Sequence, residues 1–426
     1  SLVLVFSDFH LFTHTRKIYQ YCLRVGMDFN LDIKKYIKTA LEDQNFRTYK
    51  ITLVGSGEKS DGYASDITFA TVLATTEEDV EKTIEVVVKS SRRDFLQTNR
   101  NAYEREAYFY KTILPAFARF QKKNNIKHRF NSVPKCYKTV SDESMEVIVM
   151  ENLRKNGYYL YDRKKPLDVD HLKCVLREYG KFHAISFALK TKSKVDFENL
   201  VNNFDDVTLD FFTESFKNSI NRCLKRTCDI VKSMGYTKLY EMCNEILQKG
   251  ADVTMIDILK TVEPESAILH GDCWNNNFLY KYEDTDRKIP SKVAILDWQI
   301  SKLHSPVLDL SYFIYSTCSE EQLRHFDELL DTYYSSFSVF LKDLGCDPEK
   351  LFPFSTLRRH WKKYSLHGML LTTSFLHVTI CDKEEVPEFN DVEDLGAAIM
   401  NVNITDEAEY RRRLVAVISH YYNYNK

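Results

Sequence analysis

Residues 270–282 read "HGDCWNNNFLYKY". The apolar "AIL" (267–269) stands before the polar part and "FLY" (278–280) follows it. A histidine, an aspartate, a tryptophan and three consecutive asparagines thus sit between two hydrophobic runs. Such an insertion is either a turn or a site. Asp272 and Asn277 are a weak signal by themselves, since Asp272 could simply cap a helix. The next apolar run strengthens the case: "VAILDW" (293–298) ends in a carboxylate, Asp297. A buried strand rarely ends that way for packing reasons, because a buried unpaired carboxylate is costly.

Three oxygen-bearing side chains, Asp272, Asn277 and Asp297, can therefore be gathered. Amide and carboxylate oxygens suit a hard cation such as Mg²⁺, which keeps its waters and also binds phosphate. A carboxylate not spent on metal can orient a hydroxyl or accept its proton. His270 and Trp274 are expected to hold the loop's shape.

Upstream, residues 28–42 show helical periodicity, with Ile33, Ile37 and Leu41 on one face. "FRTYKITLVG" (46–55), "SDITFATVLAT" (65–75) and "KTIEVVVKS" (82–90) read as strands. Gly55, Gly57 and Gly62 make the first connection a glycine-bearing hairpin, whose backbone amides could approach phosphates. Lys89 ends the third strand and would offer positive charge to a nucleotide's α/β-phosphates. "NAYEREAYFYKTILPAFARF" (101–120) predicts a helix stopped or kinked at Pro115, with Glu104 and Glu106 both able to pair with that lysine. "VPKCYKTV" (133–140) and "MEVIVMENL" (145–153) complete five strands. After Leu153 the pattern turns helical, at 168–190, 209–234, 237–250 and through most of the remainder. The expected class is α+β. A 1–27 extension precedes a small front lobe over 28–150, an antiparallel five-stranded sheet with one helix. A large, mostly helical lobe covers 151–426.

The bulk numbers agree. A chain of 426 residues suits two or three packed units. Net charge is −2, from 59 basic and 61 acidic side chains, so no basic excess invites nucleic acid. The 26 Tyr and 27 Phe are mostly core, although some could line an apolar pocket. Ten cysteines carry no CxxC spacing, which argues against zinc and against a disulfide framework, and favours reduced thiols in the cytoplasm. The opening "SLVLVFSDFHLF" is a poor signal sequence, with a short apolar run and no basic residue before it. No run of about 18 apolar residues predicts a membrane span.

The order is glycine hairpin, lysine on a third strand, glutamate on the next helix, HxD…N loop, then aspartate after a strand. These are the parts of protein-kinase-type phosphoryl transfer. "HGDCWNNN" with "ILDWQ" resembles the HGDxWxxN and DWQ signatures of the ecdysteroid kinase-like family, within the choline kinase and aminoglycoside phosphotransferase group. "GSGEKSDGYAS", "EREAYFYKTILP", "VIVMENL" and "KFHAISFAL" are similar to its hairpin, Glu helix, hinge and His-Ala helix. The resemblance covers roughly residues 30–380 and implies a bilobal protein-kinase-like fold using ATP and Mg²⁺. It implies Asp272 as catalytic base and Asn277 and Asp297 as Mg²⁺ ligands. Lys89 with Glu106, preferred to Glu104, would hold the nucleotide phosphates. Gly62, Tyr63 and Ser65 would lie in the phosphate-binding hairpin, and the backbone of Glu151 and Leu153 would meet the adenine. Asp309, in "SPVLDLSYF", would brace the catalytic loop.

The expected activity is ATP-dependent phosphorylation of a small-molecule hydroxyl, with ecdysteroids or related sterols as one acceptor class. The alternatives are a choline- or ethanolamine-type kinase, a non-catalytic nucleotide-binding pseudokinase, and a metal-dependent hydrolase. A pseudokinase would be expected to have lost Asp272, Asn277, Asp297 or Lys89, and all four are present. A hydrolase leaves the glycine hairpin, Lys89 and the hinge unexplained.

Overall fold

The computed structural model describes residues 32–56, 66–91, 97–141, 146–202, 204, 207–382, 385 and 395–426. By their contacts these form two compact units.

The first unit is the sheet the alternation predicted. Its strands are β1 (Phe46–Ser56), β2 (Asp66–Thr76), β3 (Glu81–Ser90), β4 (Cys136–Ser141) and β5 (Glu146–Glu151), in the order β1-β2-β3-β5-β4. Every pairing is antiparallel. The two-residue period sends Ala70, Val72, Val86, Val88, Val147 and Val149 to one face, where they are buried. A helix over residues 32–41 covers that face with Ile33, Tyr36, Ile37 and Leu41. Lys89 lies on the opposite face, paired across the strands with Ile67 and Ile148.

The second unit is mostly helical. The helix begun at Gln97–Tyr108 does not stop at Pro115. It widens into a π turn at Phe109–Ile113 and continues as Leu114–Lys123. Proline has no N–H, and its ring would meet the carbonyl four residues earlier, that of Lys111. The wider turn accommodates both defects, so the chain passes through. By its contacts this helix belongs to the second unit, and the helix that serves the five-stranded sheet is the one over 32–41.

Two close crossings order the rest. The Val169–Lys192 helix, capped by Asp168, lies against Phe326–Asp343. A Cβ on Gly180 would come within 2.7 Å of the Tyr333 carbonyl oxygen. The fully buried Val307–Thr317 helix crosses Phe354–Ile380, where a Cβ on Gly368 would stand 2.3 Å from the Ser311 carbonyl carbon.

Short strands frame the quoted segment. β6 (Tyr158–Leu160), β8 (Phe278–Tyr282) and β9 (Pro290–Ile295) form one antiparallel sheet, and β7 (Ala267–Ile268) pairs with β10 (Leu303–His304). The chain leaves β7, makes the polar loop and enters β8, which explains apolar runs on both sides of it. No helix among the described residues is long and apolar enough to cross a membrane.

Gly368→Ala is expected to overpack the second crossing and cost about 1–3 kcal/mol. Urea unfolding measures it; an unchanged midpoint would contradict the close approach.

Candidate active site

The loop is held from beneath by one buried carboxylate. Asp309 sits in the first turn of the Val307–Thr317 helix and is 1% exposed. Its Oδ2 accepts the His270 amide N–H at 2.7 Å and its Oδ1 accepts the Gly271 N–H at 2.9 Å. His183 Nε2 donates to Oδ2 at 3.2 Å, while its Nδ1 lies 3.1 Å from the Tyr333 hydroxyl. Burial alone would raise the Asp309 pKa. The hydrogen bonds from the His183 ring and the His270 amide outweigh it and hold the carboxyl below its usual range. Gly271 has φ +92°, and a Cβ there would lie 2.3 Å from the Ile300 carbonyl oxygen, so only glycine fits.

The tautomer of His270 follows from its partners. Nε2 lies 2.8 Å from the Leu296 carbonyl oxygen and 3.0 Å from that of Asp297; carbonyls only accept, so Nε2 carries the hydrogen. Nδ1 then accepts from the Tyr179 hydroxyl at 2.9 Å. Burial lowers the His270 pKa and keeps the ring neutral. The histidine thus braces the loop against the end of β9.

Above it, Asn277 is drawn onto Asp272. A 3-10 turn at Asn275–Asn277 brings the Asn277 amide back, and its Nδ2 donates to the Asp272 carbonyl at 2.9 Å and to Asp272 Oδ2 at 2.8 Å. The Asn277 N–H closes the turn on the Trp274 carbonyl at 3.1 Å, so Trp274 shapes the loop through its backbone. The Leu296 N–H donates to the Asn277 carbonyl at 2.9 Å, which sets Asp297 beside the turn. Asp297 has φ +64°, a left-handed conformation uncommon for a residue with a Cβ and concentrated at functional positions. Asp272 and Asp297 are both half-buried. Two carboxylates and an amide oxygen form a donor set that fits a hard divalent cation.

The residues assigned to the nucleotide are placed as follows. Lys89 is 5% exposed, so it is not a strand-end lysine reaching for solvent. Glu106 is 1% exposed, whereas Glu104 lies on the exposed face, its Oε1 3.1 Å from Arg100 Nε. The ordinary i,i+4 pair therefore belongs to Glu104, and Glu106 is the buried carboxylate. The Glu151 N–H donates to the Lys135 carbonyl and its Oε1 accepts the Lys135 N–H at 2.7 Å, so the side chain is committed locally. Leu153 opens a 3-10 turn, Leu153–Asn156, whose first amides lie outside its own hydrogen-bond ladder. Gly62, Tyr63 and Ser65 lie outside the described residues.

Sequence reading missed several partners. Tyr179 and His183 are spaced i,i+4 on one helix face, a pattern that could have flagged them. Tyr333 and the stack of Phe109 on Trp298 are long-range contacts with no local signal. Asn275 is buried, and neither of its amide atoms has a partner among the described residues, as befits a place for ordered water or a substrate group.

A second acidic cluster, Glu263, Glu265 and His360, brings ligand-type atoms within 4.8 Å of one another. It is already neutralised. Lys363, Tyr364 at 2.9 Å, His360 at 3.0 Å and Arg359 at 3.1 Å all bind Glu263. Partial burial would raise that carboxyl, but its bonds to Lys363, Tyr364 and Arg359 bring it down to about 2. The cluster is an ion-pair clamp on the Phe354–Ile380 helix.

An antiparallel sheet carrying a buried lysine, and an HxD…N loop beside a strand ending in Asp, define the kinase-like class. The chain belongs to the ecdysteroid kinase-like family, whose model matches residues 59–346, and its α+β architecture is the protein-kinase-like one. No curated protein matches the chain.

Asp309→Asn would present a donor to amides that need an acceptor. It is expected to cost about 3 kcal/mol or more, as for any broken buried pair. Denaturant unfolding measures it; wild-type stability would contradict the bracing role.

Proposed function

We propose that the chain transfers the γ-phosphoryl group of ATP to a hydroxyl of a small molecule, with ecdysteroids or related sterols as the acceptor class. Membership of a kinase-like family supports the phosphotransfer. The observation that carries the assignment of roles is the Asn277 amide fixed on Asp272 at 2.8 Å beside the left-handed Asp297.

Asp272 is the catalytic base. Its Oδ2 is held by Asn277, and its other oxygen is the one assigned to the acceptor's hydroxyl. The acceptor oxygen bonds to the γ-phosphorus as the bond to the ADP oxygen breaks, and the hydroxyl proton passes to Asp272. Asn277 and Asp297 would hold Mg²⁺, which when bound neutralises charge on the transferring group. Lys89 and Glu106 are assigned to the nucleotide phosphates, with Gly62, Tyr63 and Ser65 in the hairpin and the Glu151 and Leu153 backbone at the adenine. A cytoplasmic setting suits the nine described cysteines, all free thiols.

The direct test incubates the protein with ATP, Mg²⁺ and a sterol-containing metabolite library and seeks a phosphorylated product by mass spectrometry. ADP release with no phosphorylated product would favour a hydrolase and overturn the proposal. Asp272→Asn is expected to lower kcat about a hundredfold to ten-thousandfold while ATP still binds; near-normal turnover would remove Asp272 as base. Asp297→Ala is expected to abolish Mg²⁺-dependent nucleotide binding, and unaltered Mg²⁺-ATP affinity would take Asp297 out of the metal site.

A further inference from the structure

A hollow of about 480 Å³ lies in the second unit, between the Ala251–Lys260 and Phe354–Ile380 helices. No residue assigned to the reaction lines it. Its size suits a small molecule. Val253 and Ile258 give it an apolar wall. Val253 is 51% exposed, and the core face of its helix is carried by Ala251, Met255 and Leu259, so packing gives it no task. Lys249 and Lys363 bring two ammonium groups to the lining, against one carboxylate, Asp257. Both lysines are reachable from solvent. The Lys249 pair with Glu245 is exposed, and such pairs are weakly held.

Lys363 leads inward from the hollow. It binds Glu263, whose Oε2 lies 3.0 Å from His360 Nε2. A carboxylate only accepts, so Nε2 carries the hydrogen. The Arg359 guanidinium, 3.2 Å from the same nitrogen, is spent on Glu263. His360 Nδ1 then accepts from the Ser305 hydroxyl at 2.8 Å. Burial lowers the His360 pKa and keeps the ring neutral. Ser305 Oγ in turn accepts the Val307 N–H at 3.3 Å. Val307 opens the helix whose first turn holds Asp309. His360 and Ser305 are wholly buried and have no solvent to turn to. A change at Glu263 must therefore be met along this chain of hydrogen bonds.

We propose that the hollow is an effector site for a small amphipathic anion, an apolar body carrying one carboxylate, sulfonate or phosphate group. The apolar body lies against Val253 and Ile258. The anionic group pairs with Lys249 and draws Lys363 off Glu263. Glu263, His360 and Ser305 pass that loss to the first turn of the Val307–Thr317 helix. The inference does not rest on the nucleotide or Mg²⁺ assignments.

The test titrates the protein with the fluorescent dye anilinonaphthalene sulfonate, and with phenylnaphthylamine, which has the same rings and no charge. Saturable binding of the sulfonate, tighter than that of the amine, is expected. Val253→Glu sets a like charge at the wall and is expected to weaken the sulfonate about tenfold. Val195→Glu, at a valine 68% exposed on the Lys194–Val201 helix, is expected to stay within about twofold of wild type. Wild-type affinity in Val253→Glu, or equal binding of the uncharged amine, would overturn the site. Displacement of the dye by decanoate alone names a carboxylate ligand, and by decyl phosphate alone a phosphate ester; displacement by neither would also overturn it. Hydrogen exchange read by mass spectrometry tests the relay. With dye bound, amides in residues 304–311 are expected to exchange about fivefold faster, the low end of ordinary coupling between sites. Ser305→Ala is expected to bind the dye as wild type does and to lose that difference; if it does not fold, Ser305→Cys takes its place. Unaltered exchange in the saturated wild type, or an equal change in the Ser305 variant, would overturn the effector reading.

Discussion

A single carboxylate governs the geometry of the site. Asp309 is a buried charge, and a buried charge survives only when its oxygens are satisfied. Here two backbone amides and a histidine satisfy them, and the first turn of a helix favours negative charge at that place. The amides belong to His270 and Gly271. Once they are fixed, the left-handed turn at Gly271 aims Asp272, and the short turn to Asn277 closes over it. Charge-assisted hydrogen bonds are roughly twice as strong as neutral ones, so the loop is anchored where it most needs rigidity.

The helices exist, for the purposes of the site, to keep that anchor still. Gly180 lets the Val169–Lys192 helix approach the Tyr333 backbone closely. That approach brings the Tyr333 hydroxyl to His183, and His183 to Asp309. Gly368 does the same for the helix that carries Asp309 itself. Two glycines far from the loop in sequence thus set the position of its anchor. Replacing either with a larger residue would push apart helices whose separation the hydrogen bonds require.

What could be read in advance follows the range of the forces involved. Strands announced themselves by two-residue alternation, and β1 to β5 fall where the apolar pattern put them. The polar loop was legible because buried polar residues are expensive and must be explained. The choice of Glu106 over Glu104 needed a family resemblance; alternation and spacing did not distinguish them, although the fold buries Glu106 and leaves Glu104 exposed. Pro115 was read as a stop or a kink; the helix does not stop, and a π turn just before the proline accommodates it. Tyr333 and the Phe109–Trp298 stack could not be read at all. They join segments more than a hundred residues from their partners, and nothing local records such a contact.

A crystal structure of the protein with Mg²⁺ and a non-hydrolysable ATP analogue addresses the central claim most directly. The expected result is a cation ligated by Asn277 Oδ1 and the Asp297 carboxylate at about 2.1 Å, the ordinary Mg²⁺–oxygen distance. A nucleotide-bound cation ligated elsewhere, with Asn277 and Asp297 both outside its coordination shell, would contradict the account.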